Sequence, residues 1–168
     1  MIDTRPVEVE MRASVGHWEG DLINGANETG NLVTLVERNT RFSLIGRTDS
    51  KEADEVTRKI CSLFASQPKI SCEGLTLDNG KEFARHEEIA KTTGMDVYFA
   101  RPYHSWERGT NENTNGLIRR LHPKKSSFAG IGKAELKRID TFLNDRPRKC
   151  LGWLTPREKM TAFLACAS

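Results

Sequence analysis

Apolar residues gather in two short runs, 32–36 and 42–45, on either side of the polar stretch Glu37-Arg38-Asn39-Thr40-Arg41, and this pattern predicts a β-hairpin. Residues 18–23 predict a further strand beside it. From Asp49 the period changes: Ala53, Val56, Ile60, Leu63 and Phe64 recur at helical spacing, with Asp49 and Glu52 placed as a capping box and Pro68 beyond the end. Residues 74–77 predict a short strand closed by the turn signal Asp78-Asn79-Gly80. The charged segment 81–93 is followed by Gly94, the residue type favoured after a helix C-terminus. Residues 97–100 predict another strand, and a loop over 101–110 follows, with Pro102 and Gly109 as breakers. Asn111 is placed to cap a helix reaching about to His122, before Pro123. Leu136, Ile139, Phe142 and Leu143 mark a further helix stopped by Pro147, and Thr155-Pro156-Arg157-Glu158 combines an N-cap, a proline at the first helical position and a capping-box glutamate. A strand meander followed by helices alternating with short strands predicts an α/β layer structure with a mixed sheet.

The chain has 168 residues, 37% of them hydrophobic and 29% charged, enough for a single domain over 1–168 with one core. No apolar run approaches the roughly 20 residues that cross a bilayer, and the N-terminus has no apolar signal segment; no membrane partner and a cytoplasmic location are expected. Cys61, Cys72, Cys150 and Cys166 form no C-x-x-C pair, and His17, His86, His104 and His122 are scattered, which excludes a finger-type zinc site. Charge is unevenly spread. Residues 1–100 carry 12 Lys/Arg against 17 Asp/Glu, whereas residues 101–168 carry 14 against 6, so the formal +3 hides a strongly basic final third. Lys124 and Lys125 belong to it, and such a segment suits a polyanion.

Three acids sit where chemistry is plausible. Asp21 interrupts Gly16-His17-Trp18-Glu19-Gly20-Asp21-Leu22-Ile23, a segment otherwise suited to a buried strand. Asp78 follows Leu75-Thr76-Leu77 at a strand's carboxyl end, where open sheets place their sites. Glu112 falls in the first turn of the helix after Asn111, where the helix dipole favours negative charge. Each has a plainer reading as a strand-edge charge, a turn former or a helix-start carboxylate.

In context, the stretches GHWEGDLI, LTLDNGKEF, RPYHSWERGTNENTNGLIRR and NDRPRKCLGWLTPREK resemble the catalytic cores of insertion-sequence transposases, most closely the insertion sequence 30 family, over roughly residues 5 to 160. The resemblance implies an RNase H-like fold, with a mixed five-stranded sheet flanked by helices. It implies an Asp-Asp-Glu triad made of Asp21, Asp78 and Glu112, binding Mg2+ or Mn2+. It implies DNA as partner, hydrolysis and strand transfer at a mobile element's ends, and multimers, a homodimer or larger. Hard divalent cations prefer oxygen ligands, and two of them about 4 Å apart can activate a nucleophile and steady a leaving oxygen. Glu19 would share a strand face with Asp21, so parity does not separate them; the motif favours Asp21. Glu107 gives a shorter spacing from Asp78 than the family pattern.

Asn115 and Arg119 lie three and seven residues past Glu112 on the same helix face, Arg119 being placed to hold a DNA phosphate and Arg120 pointing about 100° away. His104 and Trp106 occupy a loop that resembles the mobile active-site loop of integrases, where they would stack on DNA, although Trp106 would equally anchor that loop. Trp18 and Trp153, beside apolar neighbours, are expected in the core. The chain starts close to Arg5-Pro6-Val7-Glu8, leaving no room for the family's upstream helix-turn-helix region. Two further functions fit the residues: an RNase H-like nuclease without strand transfer, and a catalytically silent DNA-binding remnant of a truncated element.

Overall fold

The computed structural model describes residues 14–101 and 109–167. Five strands, β1 (His17–Asn24), β2 (Asn31–Glu37), β3 (Ser43–Thr48), β4 (Gly74–Leu77) and β5 (Asp96–Phe99), form one mixed sheet in the order β3-β2-β1-β4-β5. β1, β2 and β3 pair antiparallel; β1 with β4 and β4 with β5 pair parallel. The helices are α1 (Ala53–Ala65), α2 (His86–Thr93), α3 (Gly109–Leu121), α4 (Lys133–Asn144) and α5 (Pro156–Cys166).

Side-chain alternation along β1 divides the core into two layers. Trp18 and Leu22 join Leu35, Val56, Ile60, Phe64, Leu75 and Leu77 on the face covered by α1 and α2. Ile23 joins Leu32, Leu117, Ile118, Phe128, Ile139 and Leu143 on the face covered by α3 and α4. β2 is buried at every position, as a strand covered on both faces must be. Trp18 meets the expectation of a core residue: it is 0% exposed, packs edge-on against Phe64 with ring centroids 5.3 Å apart, and donates its ring N–H to the Ser71 carbonyl at 2.7 Å. Trp153 does not. It is 69% exposed, at the end of a tight turn after α4. Apolar sequence neighbours mislead there because Leu151 alone turns inward, while Gly152 and Trp153 adopt positive φ and carry the chain outward.

Local signals hold in part. The capping box of α5 forms as expected, with the Glu158 amide donating to Thr155 Oγ1 at 3.1 Å and the Thr155 amide to Glu158 Oε2 at 2.7 Å. The Asp49–Glu52 box does not form. Glu52 caps α1 through its backbone alone, and the carboxylate of Glu55 instead accepts from the Asp49 amide and from the Ser50 amide and hydroxyl. Gly94 ends α2 in the left-handed conformation at φ 78°. No helix among the described residues is long and apolar enough to cross a membrane. All four cysteines are free, and burial pushes the Cys61 and Cys72 thiols above their ordinary pKa, which keeps them protonated and unreactive.

Candidate active site

Two of the expected acids lie on neighbouring parallel strands, Asp21 in the second half of β1 and Asp78 just past the end of β4. These strands pair as His17 with Gly74, Trp18 with Leu75 and Glu19 with Thr76, a register that, carried two residues on past the end of β4, would align Asp21 with Asp78. At the intervening position, Gly20, any side chain would have to displace Leu77. A Cβ on Gly20 would lie 2.6 Å from Leu77 Cδ2 and 3.3 Å from Leu35 Cδ2, inside the close-packed layer beneath.

Each aspartate is held by its own hydrogen bonds. Asp21 Oδ1 accepts from the Leu22 amide at 2.9 Å, and Oδ2 accepts from Asn115 Nδ2 at 2.7 Å. Asp78 Oδ1 accepts from the Gly80 amide at 2.9 Å, and Asn79 Nδ2 ties the same turn to the Ala100 carbonyl at the end of β5. Asp78 is therefore a turn former as well as a strand-end carboxylate, so the two readings of this residue are compatible.

Helix α3 supplies the rest of the site. Asn111, expected as its N-cap, lies inside the helix at 0% exposure. Its amide N–H donates to Glu19 Oε2 at 2.8 Å, and its side-chain oxygen lies 3.1 Å from the Thr34 hydroxyl. That hydroxyl is also 3.1 Å from Asn115 Oδ1, so Thr34 on β2 supports both asparagines. Glu112 follows Asn111 in the first turn of α3 and is exposed. Among the described residues no three His, Cys, Asp or Glu side chains converge closely enough to hold a metal ion. Asp21 and Asp78 thus belong to neighbouring strands of the sheet, whereas Glu112 is presented from the helix without closing a three-carboxylate cluster.

Asn115 and Arg119 share a face that lies against β1. Arg119 donates from Nη2 to the Asn24 carbonyl at 2.9 Å, with its guanidinium 5.6 Å from the centre of the Phe128 ring. Burial lowers its pKa from the usual arginine value. Arg120 is exposed, and so are Lys124 and Lys125 in the turn after α3. His104, Trp106 and Glu107 lie outside the described residues.

Sequence reasoning missed what fixes α3. Glu19 is 0% exposed, and its Oε1 accepts from Arg38 Nη1 at 2.7 Å, with that guanidinium 5% exposed. With one oxygen on Arg38 and the other on the Asn111 amide, Glu19 is a structural carboxylate, which separates it from Asp21 where strand parity does not. Beside it, Glu37, also 0% exposed, accepts from the amides of Gly16, Asn39 and Thr40 and from the Thr40 hydroxyl. Burial pushes the Glu37 pKa above its ordinary value despite those four bonds. Arg41, in the same turn, donates to Thr110 Oγ1 at 2.7 Å. The one available signal was the charged run Glu37-Arg38 at the end of a largely apolar stretch that is buried throughout, a place where burial demands partners.

The model of the family described as "Integrase core domain" matches residues 12–105. The chain belongs to the integrase core domain family. It is 47% identical over 163 residues to the transposase for insertion sequence element IS4351 of Bacteroides fragilis, covering 97% of this chain and 50% of that one. It is 43% identical over 157 residues to transposase InsI for insertion sequence element IS30A of Escherichia coli K12, covering 94% and 41%. These relatives bear out the resemblance to the insertion sequence 30 family. The chain spans about half the length of the curated relatives it matches. Among solved structures, the catalytic core domain of BIV integrase superposes with a TM-score of 0.68 at 19% identity, over 92% of this chain and 100% of that one. The integrase core is therefore RNase H-like, with the mixed five-stranded sheet expected from the sequence.

Proposed function

We propose that this integrase core is the catalytic part of a DNA transposase, cutting DNA at the ends of a mobile element and joining the freed 3'-hydroxyl to a target strand. The observation that supports this best is the placement of Asp21 on β1 and Asp78 just past the end of the neighbouring parallel strand β4, with Asn115 from α3 bonded to an oxygen of Asp21. Carboxylate oxygens such as those of Asp21 and Asp78 are donors of the hard type that suits Mg2+ or Mn2+, and Glu112, exposed in the first turn of α3, would have to move toward them to complete the set. Bound there, divalent ions would supply Lewis acidity to the attacking and leaving oxygens of an in-line phosphoryl transfer.

The chain's own residues do the positioning. The Leu22 amide and Asn115 amide group fix the carboxylate of Asp21, the Gly80 amide fixes that of Asp78, and Glu19 anchors the start of α3 so that Glu112 is held one residue further along. Arg119, Arg120, Lys124 and Lys125 line the path of α3 and the turn beyond it, and contribute electrostatic attraction for the DNA backbone.

The test is to incubate the chain with a 3'-hydroxyl oligonucleotide, supercoiled plasmid and Mn2+, alongside Asp78→Asn. Joined products from the wild type and none from the variant are expected. Cleavage without joining would instead establish a hydrolase. Binding of DNA with neither reaction, and no thermal shift on adding Mn2+, would establish a silent module.

A further inference from the structure

Trp153 leaves most of its ring in solvent while its backbone sits at φ 70°, a region that costs steric energy for any residue but glycine. The turn that presents it is rigid. The Trp153 amide donates to the Arg148 carbonyl at 3.0 Å, the Arg148 amide to the Leu154 carbonyl at 3.0 Å, and Arg148 Nη2 to the Leu143 carbonyl at the end of α4 at 2.9 Å. The residues leading into the turn are rich in cations. Arg146 and Lys149 are exposed, and Arg146 lies over the Phe142 ring. Burial, with smaller contributions from the charges of Arg146 and Arg41, lowers the pKa of Arg148 from the usual arginine value. The acids nearest in sequence are engaged elsewhere: Asp145 by Arg157, and Glu158 in the capping box of α5. Through Arg41, which donates to Thr110 Oγ1, this stretch reaches the start of α3 two residues before Glu112.

We infer that Trp153 with Arg146, Arg148 and Lys149 forms a second DNA contact, in which the cations follow phosphates and the indole stacks on an unpaired base of a strand leading to the catalytic end. An aromatic face beside cations is the arrangement that holds single strands without sequence preference. A second copy of the chain fits this surface less well, because a two-fold contact would set each basic patch against its own twin. The inference rests on the reading of the chain as a DNA-joining core, but it concerns binding and is tested without catalysis.

The full chain in metal-free buffer is titrated into a fluorescein-labelled single-stranded oligonucleotide, a forked duplex with unpaired ends and a blunt duplex. Trp153→Ala is expected to weaken the single-stranded and forked ligands about tenfold and the blunt duplex less than about twofold, with thermal unfolding unchanged. Trp153→Phe should recover most of the loss. Arg146→Ala with Lys149→Ala should lower the slope of log affinity against log salt by about 0.7 per charge on the single strand. Equal loss on all three ligands, or none, overturns the stacking role. A change in sedimentation of Trp153→Ala with DNA affinity kept overturns it in favour of a contact between copies. If the wild type joins no DNA while the Trp153→Ala effect stands, the proposed function fails and this surface does not.

Discussion

Two carboxylates two residues apart on one strand have opposite fates. Glu19 is sealed, one oxygen on Arg38 and the other on the backbone of α3. Asp21 is only partly covered and borrows its strongest contact from a side chain, Asn115. A carboxylate whose lone pairs are taken by protein donors in a dry setting cannot accept a further ligand without breaking bonds worth more than they would be in water. One that keeps access to solvent can. The difference teaches that acids grouped in sequence are sorted by what the opposite layer offers them. It offers Glu19 a guanidinium and a backbone N–H, and Asp21 an amide and an open edge.

Removing one half of the sealed pair should produce the largest effect. Arg38→Met leaves Glu19 buried without its cation and is expected to cost about 3–5 kcal/mol of unfolding free energy, measured in urea; a loss under about 1 kcal/mol would mean that the pair is not structurally needed. On the open side, Asp21→Asn and Asp78→Asn should each lower Mn2+-dependent strand joining more than about a hundredfold, beyond what residues that only orient ligands cost, while far-ultraviolet circular dichroism stays that of the wild type. Unchanged joining by either would remove that residue from the site.

Asn115→Ala sharpens the contrast, because it strips Asp21 of an orienting partner without adding charge. A loss of about 10- to 100-fold in joining is expected, accompanied by weaker stabilisation by Mn2+ in thermal unfolding, a readout that a purely structural role would not move. The smallest effect is one of pH. Because the folded pKa of Glu37 lies above its ordinary 4.5, its contribution to stability is complete below that value and is lost as pH rises through the raised one. Relative to Glu37→Gln, the wild type should therefore lose stability over that interval above pH 4.5, as read by unfolding titrations at stepped pH. Parallel curves would show that Glu37 does not titrate there.

The element order was legible because it is written in local periodicity: the hairpin, the strand ending at Asp78 and the helices all follow spacing that the neighbouring residues set. Asp21 and Asp78 stand out for a related reason, since a carboxylate that interrupts or closes an apolar run is conspicuous in the sequence. The α3 clamp was not legible, because its geometry is a match between two elements far apart in sequence. Glu19 meets Asn111, Asp21 meets Asn115 and Asn24 meets Arg119. Two residues of strand rise about 6.6 Å and four residues of helix about 6 Å, so a helix running along β1 in the same direction keeps step from Glu19 to Asp21, and the long Arg119 side chain covers the three residues on to Asn24. No single window of sequence contains that coincidence. Asn111 failed as a cap for the same reason: its side chain finds Thr34 across the layer and is not needed by its own helix end.

Asn144, at the end of α4, has a consequence for how copies of this molecule can meet. Its side-chain oxygen accepts the Ser43 amide at 2.8 Å and its NH2 group donates to the Ser43 carbonyl at 2.9 Å, with the residue itself fully buried. One amide thus imitates the strand that would otherwise lie outside β3, and a foreign chain arriving at that border finds both hydrogen-bonding groups of Ser43 already spent. The sheet therefore cannot be lengthened from Ser43 unless Asn144 first lets go.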